Sequence, residues 1–162
     1  MYSKLNLMVH KIASKNSIKE ELKTVAFEGN RTRATDSFKV LEIGNDSERT
    51  DTTLLGAKTV AKLASNPELF NRLMKHLPTV EAKPADTDMA FADFAKKRNA
   101  GGSATVSVNA EYLEQILGIL KRMDRHKKVL LTVPVGEGQP VFIEAVGDEG
   151  TYGRALVMTL NK

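Results

Sequence analysis

The chain has 162 residues, 41% of them hydrophobic and 27% charged, with a net charge of +4. That length and balance suit one core or two very small ones and exclude wholesale disorder. Zero cysteines exclude a disulfide framework, a thiolate zinc site and a cysteine nucleophile.

Taken in order, Leu5, Met8, Val9 and Ile12 fall at helical spacing, with Lys4, Lys11 and Lys15 off the apolar stripe. The spacing predicts a short amphipathic helix over 5–14. The same N-terminal stretch alternates charge with apolar residues and has no signal-peptide core. No apolar run approaches the roughly 20 residues of a bilayer span. Cytoplasmic residence without a membrane partner is therefore the expectation. Leu22 to Phe27, Arg31 to Asp36 and Phe38 to Ile43 read as strands, separated by the turn at Glu28-Gly29-Asn30 and closed by Gly44-Asn45-Asp46. A helix is predicted next, capped by Asp51, with Leu54, Ala57, Val60, Ala61 and Ala64 on its apolar face and Lys58 and Lys62 off it. Asn66-Pro67 then opens a second helix with the stripe Leu69, Phe70, Leu73, Met74 and Leu77, stopped by Pro78.

Residues 79–102 read as a long surface excursion carrying Asp86, Asp88, Asp93, a Lys96-Lys97-Arg98 cluster and a short helix near Phe91 and Phe94. A connection this long is usually functional or mobile. From Ala104 to Val108 the alternation is that of a strand. Asn109 is a good N-cap for a helix with the stripe Leu113, Ile116, Leu117, Leu120 and Met123, and Lys121, Arg122 and Arg125 suit its C-terminal dipole. Val129 to Val135, Val141 to Val146 and Ala155 to Leu160 read as strands joined by Gly136-Glu137-Gly138 and the Gly147–Gly150 turn. Residues 1–48 and 103–162 thus repeat an order of elements around a connection at 49–102. The fold class expected is α+β: one pseudo-duplicated domain over 1–162, an antiparallel sheet with helices packed on one side.

Three segments resemble the bacterial DNA sliding clamp, the beta subunit of DNA polymerase III, and its compact clamp-like relatives. They are Arg33-Ala34-Thr35-Asp36-Ser37-Phe38-Lys39-Val40, then Val106-Ser107-Val108-Asn109-Ala110-Glu111-Tyr112-Leu113, and finally Gln139-Pro140-Val141-Phe142-Ile143 with Leu156-Val157-Met158-Thr159-Leu160. A weaker likeness runs through Leu77-Pro78-Thr79-Val80-Glu81. The chain departs from the family in three ways. It has room for one domain rather than three, almost no strand precedes the first helix, and Thr159 stands where the family usually has Pro.

The resemblance implies a non-enzymatic, sequence-independent contact with duplex DNA through helix-borne cations, for which Lys4, Lys11, Lys15, Lys121, Arg122 and Arg125 are the candidates. It also implies an apolar groove for short peptides of DNA polymerases or clamp loaders, carried over onto Thr35, Phe38, Val40, Met158 and Leu160, and a homo-oligomeric ring. Against each stands a plainer reading: solvated lysines on helix faces, and core residues of edge strands. Glu111 and Glu114 on the back helix would repel phosphate. A dimeric or monomeric adaptor that does not encircle DNA is the alternative.

Nothing in the sequence points to catalysis or a cofactor. His10, His76 and His126 have no metal-ligand spacing, the aspartates at 86, 88 and 93 lack an EF-hand Gly and Glu in register, and no Ser or Thr has a His–Asp arrangement beside it. With 6% aromatics and no Trp, single-strand binding by base stacking is a poor fit.

Overall fold

The computed structural model describes residues 1–44, 51–97, 106–133, 138–147 and 150–160. The turns predicted at Asn45-Asp46 and Gly136-Glu137, the Arg98 end of the basic cluster and the start of the strand predicted from Ala104 lie outside the described residues.

A seven-stranded antiparallel sheet forms the frame. Its strands are β1 (Thr24–Glu28), β2 (Arg31–Thr35), β3 (Lys39–Gly44), β4 (Thr53–Gly56), β6 (Leu130–Thr132), β7 (Val141–Val146) and β8 (Tyr152–Val157), in the spatial order β4-β1-β2-β3-β8-β7-β6. Every pairing is antiparallel. The front and back strands meet at the centre, where β3 pairs with β8 over six residues, from Lys39 opposite Val157 to Gly44 opposite Tyr152. A separate two-stranded sheet joins β5 (Ser107–Val108) to β9 (Thr159–Leu160).

Period-two alternation gives the sheet two different faces. One carries Val25, Phe27, Leu41, Ile43, Ile143, Ala155 and Val157, all essentially inaccessible. Helices α1 (Lys4–Met8), α2 (Ala57–Leu63), α3 (Pro67–Leu73) and α5 (Ala110–Leu120) supply the residues packed on it. The N-terminal helix and the helix after Asn109 thus share one side of the sheet, as predicted. Asn6, buried in α1, donates to Thr32 Oγ1 and Ile43 O, both at 3.2 Å, and so ties α1 to the sheet. Gly153 lets the end of α5 come close, since a Cβ there would collide with Met123 and Leu120. Tyr2, Phe27 and Phe70 stack edge-on or tilted at 4.9–6.2 Å between ring centroids, closing the core over β1.

Three elements depart from the sequence reading. Thr53–Gly56, predicted inside a helix capped by Asp51, is strand β4, and Gly56 rather than Asp51 precedes the helix that begins at Ala57. Pairing with β1 buries Leu54 and Leu55, and two adjacent leucines carry no period that separates strand from helix. The first helix ends at Met8 and tightens into a 3₁₀ turn over Val9–Lys11. The last strand breaks at Met158, so that Thr159 and Leu160 leave the main sheet for β5.

The larger departure is in the long connection. Residues 87–97 form α4 (Thr87–Lys97), which lies across the other face of the sheet. Phe91 and Phe94 are buried there with Val40, Phe142 and Leu156, and Phe94 stacks on Phe142 at 4.9 Å. Beside this cluster lies a buried ionic network. Asp88 of α4 faces Arg31 and Arg33 of β2, each at 3.2 Å, and Arg154 of β8 at 3.9 Å. Glu28 pairs with Arg31 and, at 2.7 Å, with Arg33. Glu42, fully buried, pairs with Arg154 at 2.9 Å and accepts from the Tyr152 hydroxyl at 2.7 Å. Arg154 also lies over the Phe91 ring at 4.3 Å. Three guanidinium groups thus meet three carboxylates under one helix.

Burial pushes the Glu28 carboxyl up, but hydrogen bonds from Thr52 and Arg31 and the charges of Arg33 and Arg31 outweigh it and hold it below its ordinary value of 4.5. A carboxylate depressed in the folded state adds stability above its unfolded value, and that contribution is lost as pH falls through the folded value. The urea midpoint of the wild type should therefore fall on acidification below pH 4.5, and Glu28→Gln should flatten that fall. Denaturation curves taken between about pH 3 and 6 test this, and equal acid sensitivity in the two proteins would refute it.

Candidate functional site: an apolar groove and a basic helical side

The β2–β3 hairpin is shaped by its own Thr-Asp pair. Thr35 Oγ1 accepts from Ser37 N at 3.1 Å and donates to Lys39 O at 2.8 Å. Asp36 Oδ1 accepts from both Phe38 N and Lys39 N at 3.0 Å. This clasp holds Ser37 in the left-handed region at φ 79°, a conformation a non-glycine residue keeps only when its surroundings impose it. The result is that Phe38 stands 58% exposed at the tip, against the Tyr112 ring of α5 at 6.3 Å. The Lys39 ammonium meets the same ring. It is paired with Asp36 and lies over the Tyr112 ring at 4.0 Å, which locks the hairpin to α5.

The break after β8 brings the C-terminal segment to the same place. Met158 N donates to Phe38 O at 2.8 Å, and its side chain is 41% exposed. Between the hairpin, the break and α4 runs a groove of about 490 Å³. Val40 and Leu156 line it from the sheet, Ala90 and Phe94 from α4, and Pro140 from the start of β7. Asp86 and Asp93 also line it. This volume is within the usual range for ligand pockets.

Thr35, Phe38, Val40 and Met158, which are far apart in sequence, line this one groove. Leu160 does not. It sits in β9, opposite Ser107, and is exposed beyond the break. The short helix predicted near Phe91 and Phe94 is α4, but it packs on the sheet as a wall of the groove instead of lying in a surface excursion. Its signal was the i, i+3, i+6 spacing of Asp88, Phe91 and Phe94, which puts acid and aromatics on one helical face.

The candidate cations lie on the helical side. Lys4, Lys11, Lys15, Lys121, Arg122 and Arg125 are all exposed. Lys11 and Lys15 line a cleft of about 730 Å³ with His10, Lys23 and Lys58, beside Gln115 of α5. The sequence places Lys58 only off the apolar face of a helix. Arg122 Nη1 is 3.7 Å from Met8 Sδ, so the end of α5 touches α1 and the two basic groups share one side. The exposed Glu111 and Glu114 sit at the other end of α5.

No protein-family model matches the sequence, and no curated relative matches it. Solved structures do. The Helicobacter pylori beta clamp, seen in complexes with diflunisal and with 3,4-difluorobenzamide, matches with TM-scores of 0.67 and 0.65 at 9% and 8% identity. The DNA polymerase III subunit beta of Pseudomonas aeruginosa matches with a TM-score of 0.60 at 11% identity. The chain has the sliding-clamp fold. All three matches cover 98% of this chain but only 63–64% of the clamp chains, so it spans less than two thirds of their length. The fold that the hairpin, α5 and C-terminal segments implied is therefore the fold observed, at a level of identity where only the fold carries over. Among the described residues no helix is long and apolar enough to cross a membrane.

Proposed function

We propose that this chain is a non-enzymatic replication accessory protein of clamp type. It holds an apolar peptide of a DNA polymerase or clamp loader in the Phe38–Met158 groove, and lies against duplex DNA without reading its sequence. The observation that supports this most is the groove itself: two large apolar side chains left exposed at a rigid hairpin and a strand break, beside a concavity with an apolar floor. Such anchors carry most of a short peptide's affinity. The clamp fold favours the DNA half of the reading, and the exposed lysines and arginines beside α1 and α5 supply the positive charge that phosphate binding requires.

Phosphate neutralisation releases counterions, so duplex binding should weaken steeply with salt and ignore sequence. Replacing Lys121, Arg122 and Arg125 together with Ala should weaken binding and lower the slope of log affinity against log salt by about 0.9 for each phosphate no longer neutralised. Titration of a labelled duplex at low salt, with free subunit and with a loaded assembly, measures both. An unchanged slope in the triple variant would remove these residues from the interface.

A second reading keeps the fold as a dimeric or monomeric protein-binding adaptor that does not encircle DNA. The exposed Glu111 and Glu114 on the same helix as the basic cluster favour it, because they oppose phosphate. Under that reading the peptide groove works and duplex affinity is negligible at every salt concentration.

A further inference from the structure

The α4 wall of the groove carries charge that an apolar anchor site does not need. Asp86, Ala90 and Asp93 line the groove from that side. They stand at i, i+4 and i+7, which puts them on one face over two helical turns. At 1.5 Å of rise per residue the two aspartates are about 10 Å apart, and only the Ala90 methyl stands between them. Asp86 is exposed and caps α4, its Oδ1 accepting from Met89 N at 3.1 Å. Asp93 is exposed as well. Its pair with Lys96 is long, at 3.7 Å, and joins side chains that are both mostly in water, so it binds the carboxylate weakly. Lys39, the cation among the described lining residues, is already held by Asp36 and the Tyr112 ring. The rim of the groove is therefore negative on a chain whose net charge is +4.

We propose that the occupant of this groove is a basic peptide, an inference that rests on the reading of the groove as a peptide site. Its apolar anchor sits between Phe38 and Met158. Lysine or arginine residues bracket that anchor and are received by Asp86 and Asp93. Three residues of extended chain span about 10 Å, which matches the spacing of the two aspartates. The flexible four-carbon stem of a lysine lets it reach them from either face of the chain. Ala90 leaves the space between the carboxylates open for the peptide backbone. The same rim repels an acidic segment, so charge selects among peptides that share one anchor.

Three labelled octapeptides test this, each with the same Leu-Phe core, bracketed three residues apart by lysine, by glutamine or by glutamate. Anisotropy titrations at low salt should rank them in that order, with lysine about fivefold tighter than glutamine because two exposed ion pairs form. The gap should close toward 1 M salt, where the screening length is about 3 Å. General attraction to a chain of net charge +4 would favour the glutamate peptide, so a lysine preference reports the local carboxylates. Asp86→Asn combined with Asp93→Asn should erase the preference, and because asparagine keeps the helix cap the circular dichroism spectrum should not change. Asp93→Lys should shift the ranking toward glutamate. Equal affinity for the three peptides overturns the inference and leaves the groove a peptide site. A lysine preference that the double variant retains also overturns it. If the double variant does not fold, Asp93→Lys, which touches no cap, decides alone. Phe38→Ala should weaken all three peptides alike. Binding of none of them, or binding that Phe38→Ala leaves unchanged, is instead the failure of the groove reading, and the inference falls with it.

Discussion

Met158→Glu should abolish peptide binding and leave the protein folded. Met158 contributes its backbone N–H to the structure, through the 2.8 Å bond to Phe38 O, and any residue but proline can keep that bond. Its side chain is 41% exposed on the rim of the groove, so a carboxylate there reaches water and avoids the cost of an unpaired buried charge. A peptide's apolar anchor seated between Phe38 and Met158 would by contrast meet a charge at the point where water is excluded. Hot-spot positions of this kind cost about 2 kcal/mol or more, roughly 30-fold in affinity. Phe38→Ala should cost a similar amount, because it removes the rigid half of the same anchor site and leaves the Thr35–Asp36 clasp intact. Leu160→Glu serves as the control. It lies outside the groove and should bind as wild type does. Fluorescence anisotropy with a labelled clamp-binding peptide of the cognate polymerase, alongside circular dichroism of each variant, separates the outcomes. Met158→Glu that unfolds makes Met158 a core residue, and a folded variant with unchanged affinity removes the groove from the peptide site.

How much of this was legible in the sequence depended on how local each signal was. Val141 to Val146 is read to the residue, and the helix after Asn109 nearly so, because a short apolar run bounded by turn residues and a stripe behind a good N-cap fix their own structure. Leu54 and Leu55 carry no such signal, and only the presence of β1 decides that they pair as a strand. The hairpin and strand-break residues of the groove are found by family likeness, and their meeting depends on β3 pairing with β8, a pairing across more than a hundred residues. Leu160 parts from that group because the chain breaks at Met158 and the last strand changes sheets. The ionic face is not legible within one strand. Arg31 to Asp36 reads as a strand, and the segment alone does not say what its charged side chains meet. Only the return of α4, with Asp88 above Arg31 and Arg33, turns that face into an interior. Two features of the sequence mark it in hindsight: opposite charges at Glu28, Arg31, Arg33 and Glu42 fall on one face of neighbouring strands, and an acid with two aromatics at helical spacing follows at 88–94.

Glu42→Gln should be the most destabilising single conservative change in the sheet. Glu42 is fully buried on β3, opposite Arg154 of β8, at the seam where the front and back strands join. It takes one hydrogen bond from Arg154 Nε at 3.1 Å and one from the Tyr152 hydroxyl at 2.7 Å, while Arg154 Nη2 lies 2.9 Å and Arg31 3.4 Å away. With Glu28 and Asp88 it balances three arginines. The amide keeps the shape but removes the charge, and its NH₂ group must face a guanidinium. The buried arginines Arg31 and Arg33 are then under-compensated, while Arg154, partly exposed, can turn toward water. Breaking a buried ion pair from one side costs about 3–5 kcal/mol, whereas replacing a whole network with apolar residues is often neutral. Glu42→Gln should therefore lower the unfolding free energy by about 3 kcal/mol or more, and the melting temperature by about 2–4 °C for each of those kcal/mol. Asp88→Asn should cost less, because Asp88 is about one-third exposed and solvent screens its pairs. That change should act locally, loosening α4 and with it the Phe94 wall of the groove, so peptide affinity should fall although the sheet stays intact. Urea denaturation of the two variants, read with amide exchange along α4 and β3, tests the ranking. A Glu42→Gln loss under about 1 kcal/mol, or an Asp88→Asn loss larger than that of Glu42→Gln, would mean that the aromatic cluster rather than the charges holds the outer face together.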